Sequence, residues 1–267
     1  MSDHDQSKTK VAVLSLLPIV LLFVADYWLL LVKPFGESII SHFAIAVLAA
    51  QLICQVIFLR GEICNGQRSR LSRWNLYFLI FWLGWLLITC FQIKVYLPIR
   101  LAYCYGAGLT LTTWQQPKEE QLRRGVLWLG VIVGCIGLLL AVIPVFLFQM
   151  TISLTFNPLL QVVLGIGLAY WGLLVSRNRL HGLMDLLPYF ALIGLVASSV
   201  MAMVSLVIMY LDHHTMAWDP FHLSCYFIAH LLLLAIWSYP IIKRTKPNYW
   251  SLVAIILLAG FSPILLF

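Results

Sequence analysis

Residues 126–148 read VLWLGVIVGCIGLLLAVIPVFLF, twenty-three positions without a charged side chain. As a helix rising 1.5 Å per residue this run is about 35 Å long, enough to cross a hydrocarbon core of about 30 Å. It is preceded by KEEQLRRG at 118–125 and followed by the polar Gln149. The same alternation of long apolar run and short polar break covers the whole chain. Of 267 residues, 62% are hydrophobic and only 10% are charged, with a mean hydropathy of +0.96. A soluble domain carries about 25% charged residues, so this chain cannot clothe a water-facing surface. In lipid every backbone group needs an internal partner, which helices supply within one segment. The alternating ten-residue segments of a transmembrane barrel are absent.

Pro, Gly and charge clusters divide the chain into nine expected spans, approximately Val11–Val32, Ile39–Leu59, Trp74–Phe91, Tyr96–Trp114, Val126–Phe148, Ser153–Val175, Leu183–Leu211, Phe221–Ile241 and Tyr249–Phe267. The weakest division is QIKVYLPIR at 92–100, and one bent segment there would reduce the count to eight. The expected fold is therefore an all-α, polytopic transmembrane helix bundle. A polar tail at 1–10 precedes a single membrane domain over 11–267. The first span is longer than the apolar core of a signal peptide and no small-residue cleavage site follows it, so it reads as a retained helix.

Orientation follows from the basic residues, which collect in cytoplasmic loops. With the N-terminus in the cytoplasm, fourteen of the 17 Lys and Arg fall inside and only Lys33, Lys94 and Arg100 fall outside. That bias favours nine spans in a cell inner membrane, with the C-terminus extracytoplasmic. The net charge of +7 is then orienting charge rather than a nucleic-acid footprint. Gly130, Gly134 and Gly137 in the fifth span and Gly165 and Gly167 in the sixth mark close helix contacts. The six cysteines lack C-x-x-C spacing and read as small hydrophobes.

Ionisable residues inside a span are costly and point to function. Asp26 lies six residues from the outer end of the first span, roughly 9 Å deep. His42 lies about one turn into the second, Lys94 and Arg100 bracket the next outer turn, and LDHHTMAWDPFH at 211–222 adds Asp212, His213, His214, Asp219 and His222. His230 lies about 12 Å below His222. Asp185, with His181 and Arg179 nearby in sequence, is the exception at the inner side. In one reading Asp26 pairs with Lys94 or Arg100 as a structural ion pair and the histidines belong to a solvated loop. In the other these groups converge on an extracytoplasmic site for a lipid or other amphiphilic anionic substrate. Lys94, Arg100 and His42 would then bind the head group, and Asp219, His222 and Asp26 would carry acid–base chemistry. Enzyme and binding component are both open, and the alternative is a small transporter or a membrane subunit of a larger complex.

Zinc would need Asp219 or Asp212 together with His222 and a residue from another helix, such as His42, because neither the His213 and His214 pair nor the His222 and His230 pair has the i, i+4 spacing of a helical metal site. Haem between His42 and His230 rests on depth alone. KEEQLRRG resembles the first motif of the CAAX-processing family of intramembrane proteases through Glu119, Glu120 and Arg124. The resemblance covers eight residues, no F-x-x-x-H follows in the next span, and acids ahead of a helix suit its dipole. DPFHLSCYFIAH at 219–230 resembles the last helix of the alkaline ceramidase-like hydrolases, which implies zinc held by residues such as Asp219, His222 and His42; the H-x-x-x-H pair is missing and a further span follows. The sidedness itself is testable. Alkaline phosphatase fused at Thr215 is expected to be active, and an inactive fusion overturns the orientation.

Overall fold

A computed structural model describes residues 8–32, 41–91, 96–147, 156–177, 180–211, 219–262 and 265. Among these, nine helices and no strands are found: α1 (Lys8–Val32), α2 (Ala44–Arg60), α3 (Asn65–Cys90), α4 (Leu97–Trp114), α5 (Glu120–Leu147), α6 (Pro158–Val175), α7 (His181–Leu211), α8 (Pro220–Lys243) and α9 (Tyr249–Phe261). Each coincides with one expected span. Six are long and apolar enough to cross a membrane, namely those that include α1, α3, α5, α6, α7 and α8.

The differences lie at the ends. α3 begins at Asn65 rather than near Trp74, because the Cys64 side chain and Gln67 form a reciprocal cap there, with the Cys64 N–H donating to Gln67 Oε1 at 3.2 Å. α2 begins at Ala44 rather than Ile39, so His42 stands just before the helix instead of inside it. At 17 residues α2 is about 25 Å long, and α9 at 13 residues is about 20 Å, both short of a full crossing.

Two helices form the centre. Fifteen of the 18 residues of α6 and twelve of the 17 in α2 are buried, which leaves neither helix a broad face for lipid. They lie against each other, and α1, α3, α4, α5, α7 and α9 pack around them. The outer helices instead expose large apolar side chains such as Leu31, Leu139, Ile193 and Leu231, as lipid contact requires.

Small residues allow the central approach. The stretch AIAVLAA at 44–50 gives α2 a low-profile surface, and Gly165 of α6 fits against it. A Cβ on Gly165 would lie 2.6 Å from the Ala46 carbonyl oxygen and 2.8 Å from Ala49 Cβ. Gly134 of α5 similarly sits between Leu52 of α2 and Leu109 of α4.

Side-chain bonds show which helix ends share a level. At one end Arg68 donates to Gln116 Oε1, while Arg70 Nε donates to the Ser176 carbonyl and Gln67 Nε2 to that of Arg177, each at 3.0 Å. At the other, Arg100 Nη2 donates to the Thr89 carbonyl, also at 3.0 Å. The start of α3 thus meets the ends of α4 and α6, and the start of α4 meets the end of α3, as alternating spans require. Because main-chain atoms oppose Gly165, a Gly165→Val substitution should overpack the α2–α6 contact. A stability loss of about 1–3 kcal/mol is expected, measured by unfolding in detergent, against little change for Gly182→Val, where a Cβ meets open space.

Candidate functional site

The start of α2 is buried, and its main-chain donors need partners that water cannot reach. Four amides are satisfied by side chains, three of them from other helices. The Ser41 N–H donates to the Tyr103 hydroxyl of α4 at 2.9 Å. The His42 N–H donates to Asp26 Oδ1 of α1 at 2.7 Å, and the Ile45 N–H to Gln161 Oε1 of α6 at 3.2 Å. The Phe43 N–H donates to Ser41 Oγ at 3.1 Å, and the Ser41 hydroxyl in turn donates to Asp26 Oδ2.

Asp26 is fully buried and also lies 3.5 Å, through Oδ1, from His42 Nδ1. One carboxylate therefore gathers a hydroxyl, an amide and an imidazole at the positive end of a helix, where the macrodipole favours an anion. The His42 ring stacks on Phe156, with centroids 4.3 Å apart and planes 12° apart. Beside the cluster is a cavity of about 10 Å³ lined by Ser41, Ile45, Tyr103, Val145, Phe156 and Gln161 among others. That is about enough room for one water.

A second buried polar cluster closes the start of α6. Asn157 Oδ1 accepts from the Leu160 N–H at 3.2 Å, while its Nδ2 donates to the Ser198 carbonyl at 3.2 Å and the Tyr226 hydroxyl at 3.1 Å. His230 Nδ1 lies 3.0 Å from the Tyr226 carbonyl, and Nε2 lies 3.1 Å from Ser198 Oγ. A carbonyl can only accept, so Nδ1 carries the proton and Nε2 accepts from the serine. Gln161 links the clusters, because its Nε2 donates to the Phe156 carbonyl at 2.7 Å. The Phe156 ring stacks on His42, and His230 is engaged with Ser198.

The expected site residues thus divide. Asp26 and His42 come together. Arg100 stands one turn before Tyr103 on α4, at the i, i+3 spacing that puts both on one face. The ion pair found for Asp26 is with His42, not with Arg100. Asp219 caps α8 by accepting from the Phe221 N–H at 3.2 Å, and its Oδ2 lies 3.9 Å from His222 Nδ1. Both side chains are substantially exposed, 61% and 39%. Lys94, Asp212, His213 and His214 lie outside the described residues. Among the described residues no three His, Cys, Asp or Glu side chains form a metal-binding group.

Sequence reading missed Ser41, Tyr103, Gln161, Asn157 and Ser198, none of which is charged at neutral pH. One local signal was available, the Asn157-Pro158 pair, since a capping side chain followed by Pro starts a helix.

These features define an integral membrane protein. The chain belongs to a family of integral membrane domains, whose model matches residues 5–267. It is similar to a protein of Haemophilus influenzae described as uncharacterized, 30% identical over 233 residues and covering 87% of each chain. No solved structure matches.

Away from the membrane interior, the Gln67 backbone N–H holds the exposed Cys64 thiol below its usual range. A lowered pKa means more thiolate at neutral pH, and the loss of thiolate on acidification is shifted downward. In a chain retaining Cys64 alone, the maleimide reaction should therefore reach half its maximal rate at a lower pH than free cysteine does. Equal pH profiles would contradict the assignment.

Proposed function

We propose that the protein binds and works on an amphiphilic anionic substrate at a polar centre on the extracytoplasmic side, with Asp26 and His42 as its proton-handling pair. The observation that carries this reading is the fully buried Asp26 carboxylate at the start of α2, 3.5 Å from His42 Nδ1. Such a group is expensive within a membrane and is kept where it does something. A proton on His42 Nδ1 faces the Asp26 carboxylate, which couples the charge of the ring to that of the carboxyl group. Asp26 then stabilises the imidazolium that forms. The N-terminal end of α2 contributes fixed positive dipole, and Arg100, one turn before Tyr103, supplies a cation of the kind that grips phosphate or carboxylate. Asp219 serves as the cap of α8 in this reading, with His222 beside it.

A carrier is the second reading, and the small cavity favours it. About 10 Å³ admits no amphiphile, so access to the pair would require helices to move, as alternating access does.

The test separates charge from architecture. Asp26→Asn keeps the shape and one acceptor, whereas Asp26→Ala strands buried donors at about 1–3 kcal/mol each. In cells lacking the native gene, Asp26→Asn and His42→Gln are expected to fold yet lose function by about a hundredfold or more, the usual scale for acid–base groups. Asp219→Asn should complement normally. Full complementation by both Asp26→Asn and His42→Gln would leave the pair a structural cap.

A further inference from the structure

The end of the bundle that carries the basic loops has two hollows unrelated to the Asp26 centre. The first, of about 470 Å³, is lined by Tyr170, Asp185, Tyr189, Arg244 and Lys246 among others. The second, of about 580 Å³, runs between α8 and α9 past Ala235, Ile236, Tyr239, Ser251 and Ala254. Both are bounded by Pro240, Thr245, Lys246 and Pro247, so the turn joining α8 to α9 stands between them. Arg244 closes α8 in the left-handed region with φ 51°, its N–H donating to the Ile241 carbonyl at 3.3 Å. The Thr245 N–H donates to the Pro240 carbonyl at 3.0 Å, which completes the cap and fixes the basic turn. Trp250 and Tyr239 are 81% and 61% exposed beside it, the amphipathic aromatics that favour the boundary between lipid and water.

We propose that these hollows are one phospholipid site and that its preferred occupant is phosphatidylethanolamine. Arg244 and Lys246 hold the phosphate, as basic residues between helices do at a membrane surface. Asp185, from α7 in the same cavity, holds the ammonium. A purely anionic head group meets that carboxylate unfavourably, and a quaternary amine cannot donate hydrogen bonds to it. An acyl chain follows the apolar furrow between α8 and α9. The size is suitable, since small-molecule sites commonly occupy about 300–1,000 Å³. This site is separate from the proposed proton-handling centre and does not depend on it.

Native mass spectrometry of the full-length protein tests the proposal, with phosphatidylethanolamine, phosphatidylglycerol or phosphatidylcholine added in turn. Phosphatidylethanolamine should be retained best. Replacing both Arg244 and Lys246 by Ala should weaken its binding by about tenfold or more, from roughly fivefold for each basic residue. Asp185→Asn should erase the preference for phosphatidylethanolamine over phosphatidylglycerol. Helix content, and lipid ratios read on the monodisperse fraction, control for folding; Asp185, Arg244 and Lys246 are all exposed. Equal retention of the three lipids by the unaltered protein would overturn the proposal. So would undiminished phosphatidylethanolamine binding in the double variant, or an unchanged preference in Asp185→Asn.

Discussion

The rest of the structure depends on how the buried start of α2 is closed. A helix whose start is buried leaves amide donors where water cannot serve them, and each stranded donor costs about 1–3 kcal/mol. Here Asp26, Tyr103 and Gln161 answer those amides from α1, α4 and α6. The same bonds that complete α2 therefore fix the positions of three neighbours. This matters because lipid tails are as apolar as the side chains between helices, so hydrophobicity alone does not hold a bundle together. Close packing of small residues and interhelical polar bonds take its place.

The arrangement also divides the helices by task. α2 and α6 are enclosed, and their N-terminal ends each carry a buried polar cluster tied to other helices. α8 is more peripheral: it packs mainly on α7 and α9 and begins with an exposed cap at Asp219. Polar groups at the enclosed ends are buried and specific in their partners. Those at Asp219 and His222 are within reach of water, and a cap there is worth less and constrains less. Electrostatic interactions are stronger at the former, where solvent does not screen them.

Several particulars were legible before any coordinates. The uninterrupted run at 126–148 and its eight counterparts announced the nine helices found among the described residues, and Gly134 and Gly165 announced close contacts. That Asp26 and His42 lie toward the same end of the bundle could be counted along their segments, although His42 stands before α2 and not one turn inside it. Level did not give the partner, since the ion pair expected for Asp26 was with Lys94 or Arg100 and the one found is with His42. Arg100 had the right charge and level for Asp26, yet its guanidinium donates to the Thr89 carbonyl while Ser41 and His42 take the carboxylate. Counting residues gives height along a helix and says nothing about which way neighbouring helices are turned. The neutral members of the cluster, Ser41, Tyr103 and Gln161, were invisible for a related reason: an uncharged polar residue in an apolar run has no signature until its partner is known.

The amino-acid sequence by itself determined that the chain is a membrane helix bundle and roughly where the helices of the described residues lie, because the length and polarity of each segment are properties of that segment alone. Tertiary structure decided that α2 and α6 lie at the centre, that α2 starts at Ala44, and that Asp26 meets His42 rather than Asp219 or Arg100. Those outcomes depend on azimuth and on hydrogen bonds between residues far apart in the chain, as Ile45 is 116 positions from Gln161. No local pattern encodes such a bond; it exists only when the helices have packed.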